Sequence, residues 1–146
     1  MEQKTPYPAH LNFSDIQVGA SYTFTKVISE ETVDQFAQIT GDFNPLHCDP
    51  AYGKQSKFKK NIAHGMLIGS LFSTLVGMYC PGRDCLYLSQ TLKFRRPIFL
   101  EDQVTVKGTV SNKSESVKIL TMKTEVIVDG KIAVSGEAKV RILENR

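Results

Sequence analysis

Apolar residues change their spacing along the chain, and the change separates a helical part from a strand part. Residues 21–28 are rich in β-branched and aromatic side chains, which predicts a strand. The apolar positions of residues 30–40 recur at helical spacing, with Ser29 as a cap before them and Gly41 as a stop after them. We therefore predict one strand followed by one helix.

The longest apolar run, residues 65–80, follows His64 and reads GMLIGSLFSTLVGMYC. It has too few polar side chains to form a second face, which predicts a helix in the protein interior. The run is shorter than the roughly 20 apolar residues of a membrane span, so we expect no membrane segment. Small residues recur every four positions along it, which lets a backbone or a ligand approach that side.

After residue 85 the pattern becomes that of short strands with regular turn signals. The predicted strands cover residues 86–94, 103–111, 116–128 and 131–142. Asp129-Gly130, between the last two, is typical of a two-residue hairpin. Asp49-Pro50 predicts the start of a further short helix. Helices ahead of a run of strands indicate an α+β domain, with an antiparallel sheet against the central helix.

Length and charge narrow the class of protein. A chain of 146 residues fits one domain, which we divide into an N-terminal arm, residues 1–20, and a globular domain, residues 21–146. Its 18 basic and 15 acidic residues give a net charge of +3, too small to argue for a nucleic-acid partner. The N-terminal residues lack the apolar stretch of a secretory signal, so we expect a cytoplasmic protein.

The polar loop GDFNPLHCDP precedes the apolar run and carries candidate chemistry. Pro45 disfavours a helical conformation at Asn44, so Asp42 and His47 lie at the two ends of a turn and can converge. A carboxylate beside an imidazole is suited to acid–base catalysis. The first N–H groups of the following helix, at Gly65, are suited to binding an oxyanion. Together these groups predict proton transfer at a carbon next to a carbonyl.

Cysteine and histidine spacing gives little support to a disulfide or a metal site. The cysteines, Cys48, Cys80 and Cys85, are odd in number, which does not suggest a disulfide framework. His47, Cys48, Asp49 and His64 are suitable ligand types for zinc. However, the adjacent His47 and Cys48 are poorly placed to reach one ion, and the chain has no C-x-x-C pair. We predict reduced thiols and no metal.

Three motifs, GDFNPLH, HGMLIGSLFS and LYLSQTLKFRRPIFLEDQV, resemble those of the MaoC-like hydratases. These are the (R)-specific enoyl-CoA hydratases of the hotdog superfamily, and the resemblance covers nearly the whole chain after about residue 17. It implies a hotdog fold, in which the sheet wraps around the central helix. It also implies that Asp42 and His47 are the catalytic dyad and that the Gly65 N–H binds the thioester oxygen. Asn44 and Ser73 match further family residues near the dyad.

The activity that the resemblance implies is reversible syn hydration of trans-2-enoyl-CoA to (R)-3-hydroxyacyl-CoA. It implies a homodimer, and no cofactor apart from the coenzyme A of the substrate. We expect Asp42 to be the principal base toward water and His47 to complete the proton transfer. Leu67 and Leu71 are candidate walls for the acyl chain. Lys60, in a cluster of lysines over residues 54–60, is a candidate contact for phosphates.

Other functions remain open at this stage. A 3-hydroxyacyl-ACP dehydratase of fatty acid synthesis would use the same dyad with a different carrier. A hotdog thioesterase would direct water at the thioester carbonyl, and a non-catalytic acyl-thioester-binding module would need no dyad. The segment KKNIAHG also departs from the family's more usual R-x-I-x-H-G, so Lys60 and Asn61 are expected to affect how pantetheine or phosphates are held.

Overall fold

The computed structural model describes residues 6–144 and contains one antiparallel sheet with a helical layer. The first helices form where the sequence places caps: the Ser29 side chain accepts a hydrogen bond from Thr32 N, and Gly41 ends the helix in the left-handed conformation. The elements in chain order are a 3₁₀ turn (Phe13–Asp15), β1 (Ser21–Val27), α1 (Glu30–Thr40), α2 (Pro45–Cys48), α3 (Pro50–Gln55), α4 (Gly65–Thr74), a π-helical turn (Leu75–Tyr79), β2 (Cys85–Gln90), β3 (Lys93–Phe94), β4 (Gln103–Ser114), β5 (Ile119–Val128) and β6 (Lys131–Ile142).

The sheet order is β1-β4-β5-β6-β2, and the short β3 also pairs with β6. All neighbouring strands are antiparallel. The β5–β6 hairpin closes at Val128 and Lys131, and both turn residues, Asp129 and Gly130, have positive φ. That conformation is the one a two-residue hairpin requires, which is why the dipeptide identified the turn from sequence alone.

The central helix, α4, packs one face against the sheet. Its buried side chains contact valines of β4, β5 and β6 in one continuous apolar cluster, and they are Leu67, Ile68, Leu71 and Phe72. Its other face, with Met66, Ser70, Ser73 and Thr74, is exposed. The predicted α+β fold, an antiparallel sheet around a central helix, is confirmed, although the helix is buried on one face rather than all round.

The predicted strand over residues 86–94 is divided in two. Between β2 and β3 the chain bends so that Thr91 N donates to Glu137 O, outside the regular strand pairing. The Thr91 carbonyl approaches Gly136 so closely that a side chain there would overlap it. The absence of a side chain at Gly136, on the neighbouring strand, therefore permits the bend. Nothing in the local pattern of residues 86–94 signals it.

The N-terminal arm adds to the core rather than lying apart from it. Phe13 and Ile16 are buried in a second apolar cluster with Val76, Leu120 and Met122. Main-chain hydrogen bonds from Ala9 N to Met78 O and from Leu11 N to Pro81 O attach the arm to the end of the helical layer. Among the described residues, 6–144, there is no helix with the length and apolar character needed to cross a membrane.

Candidate active site

The loop after α1 turns the chain so that Asp42 and His47 lie at the two ends of a short capped helix. Asp42 Oδ1 accepts a hydrogen bond from Asn44 N at 3.2 Å, and Asn44 Oδ1 accepts one from Leu46 N at 3.0 Å. Pro45 begins α2, where its missing N–H has no cost. Asn44 therefore shapes the loop as the cap of α2, and this places His47 on the next turn, facing back toward Asp42.

The His47 imidazole is oriented by the main chain. Its Nδ1 lies 2.7 Å from the carbonyl oxygen of Ile62. A carbonyl oxygen only accepts hydrogen bonds, so Nδ1 carries the proton and, in the neutral ring, Nε2 presents a lone pair. His47 is partly buried, whereas Asp42 is exposed. The dyad thus combines a fixed imidazole with a carboxylate that solvent can reach.

His64 is a third member of the site. It is 2% exposed, and its Nε2 lies 2.9 Å from the main-chain carbonyl oxygen of Asp42. Its ring centroid lies 4.0 Å from that of His47 and 4.9 Å from that of Phe36. From sequence, His64 is indicated only as a possible zinc ligand and as the residue before the oxyanion donor. The signal that was missed is the position of a histidine directly before a buried helix.

Gly65 begins α4 beside this cluster, and His64 makes no side-chain cap for the helix. As the first residue of the helix, Gly65 has an N–H with no intrahelical acceptor. A Cβ at Gly65 would lie 3.1 Å from Cε1 of Phe94, so the glycine leaves its backbone accessible between the ring and the helix. The N–H is thus available to a ligand oxygen, in a position where the helix dipole favours negative charge.

A cavity of about 310 Å³ joins His47 to Gly65. Most of its wall is apolar, and two arginines lie at one side. The lining residues are His47, Phe58, Ile62, Ala63, Gly65, Ile68, Phe94, Arg95, Arg96, Pro97, Ile98 and Val134. A larger cleft, of about 540 Å³, lies beside the N-terminal arm and contains neither dyad residue. We place the candidate site in the smaller cavity, because His47 and Gly65, two of the residues selected from the sequence, line it beside an apolar wall.

Comparison with known proteins identifies the family. The MaoC like domain matches residues 14–132. This chain belongs to the MaoC-like family. It is 38% identical over 133 residues to an (R)-specific enoyl-CoA hydratase of Aeromonas caviae, an alignment that covers 90% of this chain and 99% of that protein.

Two further relatives extend the comparison. The chain is 29% identical over 150 residues to the mitochondrial 3-hydroxyacyl-(acyl-carrier-protein) dehydratase of Arabidopsis thaliana, covering 89% of each. The solved structure of R-hydratase PhaJ1 of Pseudomonas aeruginosa, in its unliganded form, has a TM-score of 0.89 at 37% identity, covering 93% of this chain and 88% of that one. The predicted hotdog fold and the predicted enzyme class, a hydro-lyase of this family, are confirmed by these relatives.

Three further candidate residues lie on α4, and they differ in burial. Leu67 and Leu71 are buried in the apolar cluster under α4 and do not line the cavity, whereas Ile68, one turn from Gly65, does. Residues three apart on a helix share a face, so the cavity side of α4 follows from Gly65. Ser73 is exposed, more than two turns beyond Gly65.

Lys60 and Asn61, in the basic segment before α4, were candidates for holding pantetheine or phosphates, but neither lines the cavity. Lys60 Nζ lies over the ring of Phe99, 4.3 Å from its centroid, and Lys60 does not line the cavity. The Asn61 amide instead donates to the carbonyl oxygens of Pro45, Leu46 and Asp49, at 3.2, 2.9 and 2.9 Å. Asn61 therefore holds the end of the loop that carries Asp42 and His47, and it does not line the cavity.

Arg95 and Arg96 are the cationic residues that line the cavity, and the sequence analysis did not select them. Arg95 Nε donates to Ser135 Oγ at 2.9 Å, which fixes its guanidinium along β6. The signal was present in the segment KFRRPIF, where two arginines precede a proline at the end of a strand. Guanidinium groups beside an apolar cavity are suited to binding phosphate oxygens.

The side chains of Asp42, His47 and His64 each offer one ligand atom within 4.8 Å of the others, a set that the sequence analysis did not consider. Each imidazole already uses one ring nitrogen on a main-chain carbonyl. The two rings are also in contact in a tilted arrangement, with 33° between their planes. The prediction of no metal at this site is untested and stays a prediction.

Proposed function

We propose that this protein catalyses the reversible hydration of trans-2-enoyl-CoA to (R)-3-hydroxyacyl-CoA. The observation that carries the proposal is that His47 and Gly65 line one apolar cavity, while a carboxylate oxygen of Asp42 lies within 4.8 Å of a ring nitrogen of His47. A carboxylate and an imidazole can move a proton between water and carbon, and a helix-terminal N–H can stabilise the oxyanion of the thioester. The 38% identity to the Aeromonas caviae enoyl-CoA hydratase supports the same reaction.

In the proposed mechanism, the Asp42 carboxylate takes a proton from water as the water oxygen bonds to C3. The C2–C3 π electrons then move toward the thioester carbonyl, whose oxygen becomes negative beside the Gly65 N–H. Asp42 passes its proton to His47 Nε2, the ring nitrogen left free by the Nδ1 bond to Ile62 O. His47 delivers that proton to C2, which restores both residues. In this mechanism Asp42 and His47 act on the same face of the enoyl group. The hydroxyl and the hydrogen therefore add to the same side of the double bond, which is syn addition.

The apolar wall and the arginines suggest how the substrate lies. Ile68, Ile98 and Val134 offer the acyl chain an apolar surface, and Arg95 and Arg96 offer charge to the phosphates of coenzyme A. No cofactor beyond this coenzyme A is proposed. Leu67 and Leu71 support the wall from the core behind it. Lys60 contacts the Phe99 ring and does not line the cavity, so the arginines are the better candidates for the phosphate contact.

We also propose that the enzyme works as a cytoplasmic homodimer. A single chain exposes large apolar side chains at the start of α4 and on the β2–β3 edge: Met66, Leu86, Leu88 and Phe94. Met66 and Phe94 lie next to Gly65 in the chain or in space, so a second copy that covered them would also close the cavity. An exposed Ser73 beside this surface would then face the partner.

The first experiment is hydration of crotonyl-CoA, followed by loss of enoyl-thioester absorbance, with chiral analysis of the product. We expect the (R)-alcohol from the wild type. Asp42→Asn should reduce the rate about a hundredfold to ten-thousandfold, with ligand binding retained. Release of free coenzyme A instead of hydration would indicate a thioesterase, and binding without turnover would indicate a non-catalytic module.

The second candidate is a 3-hydroxyacyl-ACP dehydratase, which the similarity to the Arabidopsis thaliana dehydratase favours. The two candidates share the dyad and differ in carrier. Comparing kcat/KM for crotonyl-CoA and crotonyl-ACP separates them. If Arg95→Ala and Arg96→Ala weaken turnover of the CoA thioester but leave the ACP thioester unchanged, the arginines act on coenzyme A. A strong preference for the ACP thioester would overturn the CoA assignment.

A further inference from the structure

His64 contacts Asp42 and His47 and directly precedes Gly65, although it does not line the cavity. We infer that His64 is a positioning residue, which holds the Asp42 main chain and the His47 ring in register with the Gly65 N–H. This inference rests on the proposed function, because it concerns the rate of the same reaction. Its physical basis is one hydrogen bond, one ring contact and one buried nitrogen.

The hydrogen bond fixes the carboxylate end of the dyad. His64 Nε2 donates to the Asp42 carbonyl at 2.9 Å, while Asp42 N donates to Thr40 Oγ1 at 3.2 Å. The Asp42 backbone is thus held on both sides, although its side chain is exposed. Without the His64 bond, the carbonyl would be free to turn toward water, and the carboxylate would turn with it.

The ring contact fixes the imidazole end. The His64 ring contacts the His47 ring in a tilted arrangement, with 4.0 Å between centroids, and the carbonyl oxygen of Ile62, two residues before His64, accepts the hydrogen bond from His47 Nδ1. The same segment is held by a hydrogen bond from Ala63 N to Ile98 O, at 2.7 Å, and Ile98 lies in the connection between β3 and β4. One rigid stretch, residues 62–65, therefore contacts both members of the dyad and supplies the oxyanion donor.

The buried nitrogen argues against a purely structural role. With Nε2 donating, Nδ1 of the neutral ring is an acceptor, and it is buried without a partner in the described part of the chain. Burying an unpaired polar atom costs free energy, so a phenylalanine would fill this space with less penalty. Packing alone does not account for a histidine here. The Nε2–H, which phenylalanine lacks, is the part of the ring that the site uses.

The test uses three substitutions of His64 and one control substitution, each in the full-length protein. His64→Phe keeps the aromatic packing and loses the donor, whereas His64→Gln keeps an N–H donor of similar reach. His64→Met, which lacks the donor and is close to glutamine in shape, repeats the comparison if the phenylalanine variant does not fold. His10→Gln is the matched control, because His10 lies with Arg83 and Asp84, away from this cavity.

Two readouts are needed for each variant. For crotonyl-CoA hydration, we expect His64→Phe and His64→Met to lower kcat about tenfold to a hundredfold, the scale of a small misplacement of reacting groups, with little change in KM. Amide hydrogen exchange of residues 41–47 should become about twofold to tenfold faster in the same variants, the factor associated with one lost hydrogen bond. His64→Gln should restore both quantities in large part, and His10→Gln should change neither.

The outcomes separate the two proposals. Wild-type kcat and wild-type loop exchange in folded His64→Phe or His64→Met would overturn the positioning role. An equal loss in His64→Gln and His64→Met would do so as well, because a donor would then not matter. If the wild type does not hydrate crotonyl-CoA, the proposed function fails, and loop exchange still decides whether His64 holds the loop.

Discussion

The two ends of the central helical layer have opposite surroundings. At its start, His64 and Gly65 meet an exposed carboxylate, a second histidine and an open cavity. At its far end, Val76 and Cys80 are surrounded by Leu120, Met122 and the two arm residues Phe13 and Ile16. The end at His64 and Gly65 includes the buried His64 Nδ1, which has no partner among residues 6–144, and the first N–H of the helix, which receives no side-chain cap there. The distal end is filled by apolar contacts.

The comparison indicates that the distal end contributes mainly to stability, whereas the end at His64 and Gly65 holds the candidate catalytic groups. Apolar burial stabilises in proportion to the area removed from water, so the distal end can hold the layer in place without polar groups. The end at His64 and Gly65 can then keep the Gly65 N–H free, and we propose the thioester oxygen of the substrate as its partner. Variants at the two ends should therefore affect different measurements.

The largest effect should follow His47→Gln at the end that holds the candidate site. Glutamine can still donate to Ile62 O, but it cannot carry a proton from Asp42 to carbon. We expect kcat/KM for crotonyl-CoA to fall about a hundredfold to ten-thousandfold, while the urea unfolding midpoint stays near that of the wild type. A large loss of stability would mean that the two ends are not separate.

The opposite result is expected for Leu120→Ala at the distal end. Leu120 is completely buried, and its truncation should lower the free energy of unfolding by about 2–5 kcal/mol. Urea denaturation measures that loss. The kcat/KM of the folded enzyme should remain that of the wild type, since no residue of this cluster lines the cavity. A changed kcat/KM would show that the distal cluster shapes the site.

A smaller effect should distinguish two glycines of the same helical layer. In Gly65→Ala the new methyl group would meet Phe94 at 3.1 Å, beside the oxyanion donor, and we expect about a tenfold to hundredfold loss of kcat/KM. In the control, Gly77→Ala, the methyl group meets nothing within 4 Å, so activity should be unchanged. Steady-state kinetics on the pair tests this, and equal losses would contradict it.

The smallest effect concerns pH and belongs to the distal end. Burial raises the pKa of the Cys80 thiol to about 11. The unfolded chain releases this proton near the ordinary value of about 8.5, so stability is complete below that pH and declines as the pH rises through 11.

The measurement is the urea midpoint of the wild type and of Cys80→Ala at about pH 8 and about pH 10.5. The wild type should lose more stability over this interval, because only its unfolded state gains a thiolate at position 80. Ionisation of Tyr87 and the other thiols is common to both proteins and cancels in the difference. Equal losses in the two proteins would show that Cys80 is not protected from ionisation.

Local signals were sufficient where the physics is local. Ser29 and Gly41 delimit α1 because a cap and a left-handed glycine act within one turn of the chain. Asp129-Gly130 identifies its hairpin for the same reason. The dyad residues could be selected because Pro45 constrains the backbone between them. The bend at Thr91 could not, since it depends on Gly136 of the neighbouring strand.

The sequence alone was sufficient for the α+β order of elements, the candidate residues of the loop at 41–50 and membership of the MaoC-like family. Only the tertiary structure decided which side of α4 faces the cavity, and thus that Ile68 lines it while Leu67 and Leu71 do not. It also placed His64 Nε2 against the Asp42 carbonyl oxygen and the Asn61 amide against the carbonyl oxygen of Leu46. Residues 15 to 22 positions apart form these contacts, so their positions depend on how the whole chain packs, which no local pattern encodes.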